Sequence, residues 1–316
     1  MAVLITGGYG HIGSWMAALF AESGEEVIIV DINGKVPEHL EKRSKQIRFL
    51  KKDIRDFSSF LTALDKYRDE IDGIVHTVGI MGEFVADRPR ENVSLNIIGT
   101  LNILEAARLL NITKVVYTST GAVYGPVRGV AAEETVLNPA DLYAVTKVAS
   151  EHLGLQYAES FGLDFRIGRV YFVYGPGKLP SRFVRLYRVA FGVLEDLPDL
   201  LVEKSTDQKL DFTYIEDAAR GLVLLYGANR PPHRIYNIAT GIATSVADVA
   251  ALARGCSRTP VSVEIGPGVL MPRAEALDIT RARAELGYEP RVALEDGIER
   301  YAAWLSRTRM TKRRHE

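Results

Sequence analysis

Four of the seven residues from Gly7 to Gly13 are glycine, in an opening stretch that reads AVLITGGYGHIGSWMAALF. Glycine inside a helix or strand costs about 0.5–1 kcal/mol, so such a cluster marks a backbone that turns sharply or lies close to something else. Set between an apolar run of strand length and one of helix length, it dictates a strand, a tight turn and a helix in immediate succession.

At such a turn the spacing Gly7, Gly10, Gly13 lets the chain close, leaves bare amides for a pyrophosphate and packs the helix on the sheet. The helix amino terminus adds its partial positive charge. Asp31 ends the next apolar run, where a carboxylate can bind both hydroxyls of an adenosine ribose. The same carboxylate repels a 2'-phosphate, and no arginine follows it directly in DINGK, which favours NAD over NADP.

The remainder of the first half repeats the alternation. AVLIT, EEVIIVD, IRFLKKD, GIVHTVG and KVVYTST read as strands, separated by helical stretches such as GSWMAALFAESG and LNIIGTLNILEAARLLN. This order predicts a Rossmann-type, doubly wound α/β fold with a parallel sheet. Past it the pattern loosens: GRVYFVYGPGKLP is aromatic and turn-rich, HRIYNIATG is a late strand, and SVADVAALAR and LEDGIERYAAWLS are helices. We read residues 1–168 as a dinucleotide-binding domain and 169–306 as a mainly substrate-binding region interleaved with the sheet. Residues 307–316 read as a basic, solvated tail.

Composition narrows the partners. With 316 residues, 47 % hydrophobic, 25 % charged and a net charge of −1, the chain gives no electrostatic reason to expect nucleic acid or an anionic membrane. The single cysteine, Cys256, excludes an intramolecular disulfide, and no His/Cys cluster has zinc spacing, so no metal is expected. No apolar run approaches the roughly 18 residues of a membrane span, and no charged n-region precedes the first strand. The expected setting is reducing and cytoplasmic.

The chemistry is carried by YAVTK. Tyr143 and Lys147 are four apart, hence neighbours on one helix face, and Thr120 ends the strand of VVYTSTGAVYG upstream. A free tyrosine titrates near ~10, so a base at neutral pH needs a shift of roughly 3 units, or about 4 kcal/mol. A lysine ammonium and the positive ring of an oxidised nicotinamide in a dry cleft supply that sign of shift.

Together these segments resemble the extended short-chain dehydrogenases/reductases, the NAD-dependent epimerase/dehydratase family. The likeness runs nearly end to end, through TGGYGHIG, SLNIIGT, YAVTK, VYGPG, LDFTYIEDAARG, YNIATG and LDITRARAELGYEP. It implies Thr120, Tyr143 and Lys147 as the catalytic set, with Thr120 orienting the substrate hydroxyl, Tyr143 as acid/base and Lys147 holding the nicotinamide ribose. It implies an NAD site of Gly7, Gly10, His11, Ile12, Gly13, Asp31, Asp53, Ile54, Thr77, Val78, Gly79, Asn96, Thr118 and Tyr171, with Tyr143 and Lys147. Met81, Thr120, Phe172 and Arg182 fall to the substrate, and the helices around residues 92–110 and 141–161 to a homodimer interface.

The departures from that pattern are as informative. Dehydratases of the family carry Asp-Glu directly after the threonine, and the related decarboxylases a nearby Glu; here Gly121 and Ala122 follow, which argues against both reactions. Nucleotide-sugar enzymes carry Asn before VYGP and Arg before DF, where this chain has Phe172 and Leu210. Arg182 or Arg185 could compensate. The expectation is hydride transfer at a secondary alcohol of a sugar-like or hydroxy-acid substrate. A nucleotide-sugar 4-epimerase is the first alternative, and an NAD-binding sensor without turnover is one of a different class, which the intact YAVTK disfavours.

Overall fold

A computed structural model of the chain describes residues 1–81, 84–180, 185–195, 200–202, 204–257 and 263–313. Seven parallel strands form its centre: β1 Ala2–Thr6, β2 Glu26–Asp31, β3 Ile47–Lys51, β4 Ile71–His76, β5 Lys114–Thr120, β6 Asp164–Val170 and β7 Ile235–Ile238. Their spatial order is β7-β6-β5-β4-β1-β2-β3, reversing direction beside β1, where an open α/β sheet leaves a crevice for a ligand.

Side-chain alternation divides the sheet into two cores. Val3, Ile5, Val27, Ile29 and Val116 face helices α1 (His11–Glu22) and α5 (Ile215–Gly227). Ala2, Leu4, Ile28, Ile74 and Tyr117 face α2 (Phe57–Asp65), α3 (Gly99–Leu109) and α4 (Leu142–Phe161). Later segments lie over the crevice, tied down by short strand pairs such as Leu210 with Thr244 and Ala276 with Val130. Both α5 and β7 belong to the main layers, so the later region and the sheet share one core. Residues 307–313 continue the last helix, Leu294–Arg313. Among the described residues no helix is long and apolar enough to cross a membrane.

The one central strand that the apolar pattern does not reveal is β6. Arg166, Gly168 and Arg169 interrupt it, yet both arginines are buried. Arg166 pairs with Asp164 at 2.6 Å and donates to the carbonyl oxygens of Leu225 and Ala228, while Arg169 pairs with Glu151 of α4 at 2.6 Å. The strand is held by satisfied charges where its neighbours are held by aliphatic side chains.

His76 lies beneath the crevice between the hydroxyls of Thr6 and Thr100, at 2.7 and 3.1 Å. Burial first, and then the charge of Lys147, push its imidazole down to about 3, and burial likewise takes His11 down to about 3. Both rings are neutral when folded and gain protons on unfolding below pH ~6.5, so their contribution to stability is full above that value and is lost as pH falls towards 3. Urea titrations from pH 7.5 to 5 are expected to give a steadily falling stability, steepening below ~6.5 by up to about 1.4 kcal/mol per pH unit for each imidazole. A stability flat across that window would contradict the buried, neutral state.

Candidate active site

The glycine turn joins β1 to α1, and each spaced glycine has its own reason. Gly7 adopts φ +73°, a conformation that L side chains rarely take. Gly10 precedes the helix and its amide donates to Gly7 O at 2.9 Å. A Cβ on Gly13 would lie 2.3 Å from Gly7 O, so only glycine lets the first helical turn approach. The result is a cradle of backbone amides at a helix amino terminus, the shape and polarity a pyrophosphate requires.

The cradle opens into a cleft of about 750 Å³ above the carboxyl ends of the strands. Gly7, Gly10, His11, Ile12, Gly13, Asp31, Asp53, Ile54, Thr77, Val78 and Gly79 line one stretch of it; Met81, Thr120, Tyr143, Tyr171 and Phe172 line the other. Asp31 is fixed at the end of β2, accepting from the backbone amides of Tyr9 at 3.1 Å and Asn33 at 2.9 Å. Asp53 pairs with Arg55 at 2.6 Å, which holds its carboxyl below the usual range. Lys52 and Arg55 line the same end, and nothing in the glycine or YAVTK patterns marks them.

Three of the expected residues stand behind the cleft wall. Asn96 clamps Ile80, its Oδ1 accepting from the amide at 2.9 Å and its Nδ2 donating to the carbonyl at 3.1 Å. It sits in a π-helical turn, Ser94–Ile98, of the kind that recurs at functional sites. Thr118 acts through its carbonyl, which accepts from Lys147 Nζ at 2.9 Å. Lys147 is buried directly beneath Gly79, where an added Cβ would lie 3.3 Å from Nζ. Arg182 lies outside the described residues.

Tyr143 is the second residue of α4, whose amino terminus is capped by Asp141 accepting from the Ala144 amide at 2.8 Å. Burial raises the Tyr143 phenol above its ordinary value, while its hydrogen bond with Thr120 and the charge of Arg273 pull it back. Lys147 moves the other way, down to about 8, because burial penalises its ammonium more than Glu151 favours it. Lys147 Nζ stands 6.0 Å from the centre of the Tyr143 ring, one helical turn along, so its ammonium favours the phenolate in sign.

The substrate end is walled by Tyr171, Phe172, Val173, Tyr187, Leu270 and Met271, with cations from Arg185 and Arg273, and Lys178 stands where the two stretches meet, between His11 and Met81. Phe172 holds a strained φ of +33° and stacks on Tyr187, with ring centroids 5.5 Å apart. Leu210 is fully buried and is not part of the lining. Sequence reasoning missed Arg273, which pairs with Asp141 from 132 positions away, a separation that leaves no local signal. Among the described residues no group of three or more His, Cys, Asp or Glu is placed to hold a metal.

The model of the NAD dependent epimerase/dehydratase family matches residues 3–239. The chain belongs to that family. It is 31 % identical to the UDP-glucose 4-epimerase of Mycolicibacterium smegmatis over 94 % of this chain and 96 % of the relative. It is 28 % identical to the UDP-glucuronate 4-epimerase of Thermodesulfobacterium geofontis over 95 % of each. The crystal structure of the Thermus thermophilus UDP-glucose 4-epimerase in complex with NAD superposes with a TM-score of 0.84 at 28 % identity, covering 97 % of this chain and 99 % of that one. Membership makes the chain an NAD-dependent enzyme, and the glycine cradle with Asp31 at the end of β2 fits that cofactor.

Asp31 also sets a testable preference. A carboxylate held within about 4 Å of a 2'-phosphate at an effective dielectric near 20 repels it by several kcal/mol before solvent screening. Isothermal titration is expected to give NAD at least tenfold tighter than NADP. Equal or tighter binding of NADP would remove that role from Asp31.

Proposed function

We propose that the cleft exchanges hydrogen at a secondary alcohol of a polyhydroxylated or hydroxy-acid compound, as an epimerase or a simple dehydrogenase. The observation that carries this is Thr120 and Tyr143 together on the wall that the glycine cradle opens onto, with the Lys147 ammonium directly behind it, 6.0 Å from the centre of the Tyr143 ring. NAD, when bound, supplies the hydride acceptor. Tyr143 takes the hydroxyl proton at its phenolic oxygen as the alcohol becomes a carbonyl. The Thr120 hydroxyl holds the substrate oxygen beside it, and Lys147 biases the phenol towards its anion and holds the ribose. Were the hydride returned to the carbon and the proton to the oxygen after the carbonyl had turned its other face, the carbon would be inverted, whereas release of the carbonyl would give net oxidation.

The relatives favour a second reading, a nucleotide-sugar 4-epimerase. Against it stands Phe172, an apolar side chain in the lining; Leu210 is buried behind the wall and does not bear on the question. A diphosphate that meets no guanidinium forgoes a charge-assisted contact worth about 1.5–3 kcal/mol. Arg185 and Arg273 line the substrate end and are the groups able to replace it.

We further propose a cytoplasmic setting, in keeping with a single cysteine and so no intramolecular disulfide, and a homodimer, supported by Val93, Ile98, Leu109, Val145 and Phe161, large apolar side chains exposed on or beside α3 and α4. Light scattering giving the mass of a single chain would remove it. The substrate class is tested by a thermal-shift screen, with NAD present, of UDP- and dTDP-sugars against aldonates and free sugars. We expect stabilisation by the second group; strong stabilisation by a UDP-sugar at sub-millimolar concentration would install the nucleotide-sugar reading. With the compound that turns over, Tyr143→Phe is expected to lose more than about 10³-fold in rate while NAD still binds. A variant that kept most of its rate would take Tyr143 out of the mechanism.

A further inference from the structure

The segment from Gly175 to Lys178 lies flat on the first turn of α1. Gly177 has φ +107°, and a Cβ there would stand 3.2 Å from the His11 ring. Trp15 Nε1 donates to the carbonyl of Pro176 at 3.0 Å, and the Tyr301 hydroxyl donates to the carbonyl of Lys178 at 2.6 Å, which pins the segment from both sides. From this platform the Lys178 side chain lines the cleft, and its Nζ comes within 3.9 Å of Met81 Sδ, on the loop beyond β4. An ammonium therefore spans from the first turn of α1 to the opposite lip.

Electrostatics make this an odd place for a cation, because a helix amino terminus already carries partial positive charge. His11, the first residue of α1, does not soften the conflict: burial and the charge of Lys178 keep its ring neutral. His39, whose ring stacks on Trp15, is also held neutral by burial, at about 4. Burial takes Lys178 itself down to about 8. An anion seated in the glycine turn is within reach of both features at once, the amides and dipole of α1 and the ammonium of Lys178.

We infer that Lys178 is a cofactor-binding residue that closes over the pyrophosphate of the bound dinucleotide from the substrate side. The inference rests on the cleft being the NAD site. It makes the cofactor's grip depend on the later region of the chain, since the backbone of Lys178 hangs from Tyr301 on the last helix.

Isothermal titration of nucleotide-free protein with NAD, ADP-ribose and adenosine tests this. Lys178→Met, which keeps the length and removes the charge, is expected to weaken NAD and ADP-ribose on the order of ten- to a hundredfold and to leave adenosine unchanged. Lys178→Arg should stay within about threefold of wild type. Melting temperatures establish that each variant folds, and Lys178→Gln replaces the methionine variant if it does not. Equal NAD affinity in wild type and Lys178→Met would overturn the inference while leaving the cofactor site intact. So would a loss confined to substrate affinity, which would give Lys178 to the substrate. A wild-type protein that binds no NAD would bring down the cofactor site itself.

Discussion

Glu151 on α4 and Arg169 on β6 lie 2.6 Å apart with both side chains almost wholly screened from water, and the geometry of the active site hangs on that pair. Glu151 also accepts from Ser119 on β5, and Arg169 donates to the Tyr124 hydroxyl, which in turn donates to Asn237 on β7. One carboxylate thus fixes α4 against β5 and β6, and the network reaches β7. Removing one partner of such a pair typically costs about 3–5 kcal/mol, because the other is left buried and charged. One turn before Glu151 on the same helix comes Lys147, and one turn earlier again Tyr143. The tie that holds the helix also sets how far the ammonium and the phenol stand from the ends of the strands.

Around that frame the charges are arranged so that few are spent at the reacting end. His76 is neutral beneath the cleft, Lys147 is eased down to about 8, and Asp141 pairs with Arg273 at the mouth. Asp141 pushes the Tyr143 phenol up and Arg273 pulls it down, so the pair leaves little net field on the base. Burial leaves the phenol above its ordinary value. A permanent positive charge next to it would pull it back down, which under the proposed mechanism would couple proton abstraction to oxidised cofactor.

Much of this was legible in the sequence because it depends on local spacing. The glycines, the Tyr143–Lys147 step and the strand-ending Asp31 and Thr120 each follow from one element's geometry. The late strand at Ile235–Ile238 was visible as an apolar run, but its neighbour β6 was not, since Arg166 and Arg169 are buried by partners on other elements. Arg273, Tyr187, Leu270 and Met271 reach the cleft through long-range packing of segments with no period of their own. Thr118 and Asn96 stand behind the cleft wall, where the Thr118 carbonyl accepts from Lys147 and Asn96 clamps Ile80, contacts that residue type alone does not disclose.

The central claim is that Tyr143 becomes a base only when Lys147 and the positive ring of the oxidised cofactor act on it together. Ultraviolet difference titration of wild type against Tyr143→Phe measures this directly, with and without NAD. The account predicts a single tyrosinate that titrates about 3 units below free tyrosine with NAD bound, and above free tyrosine without it. No tyrosinate below pH ~10 in the NAD-bound enzyme would contradict it.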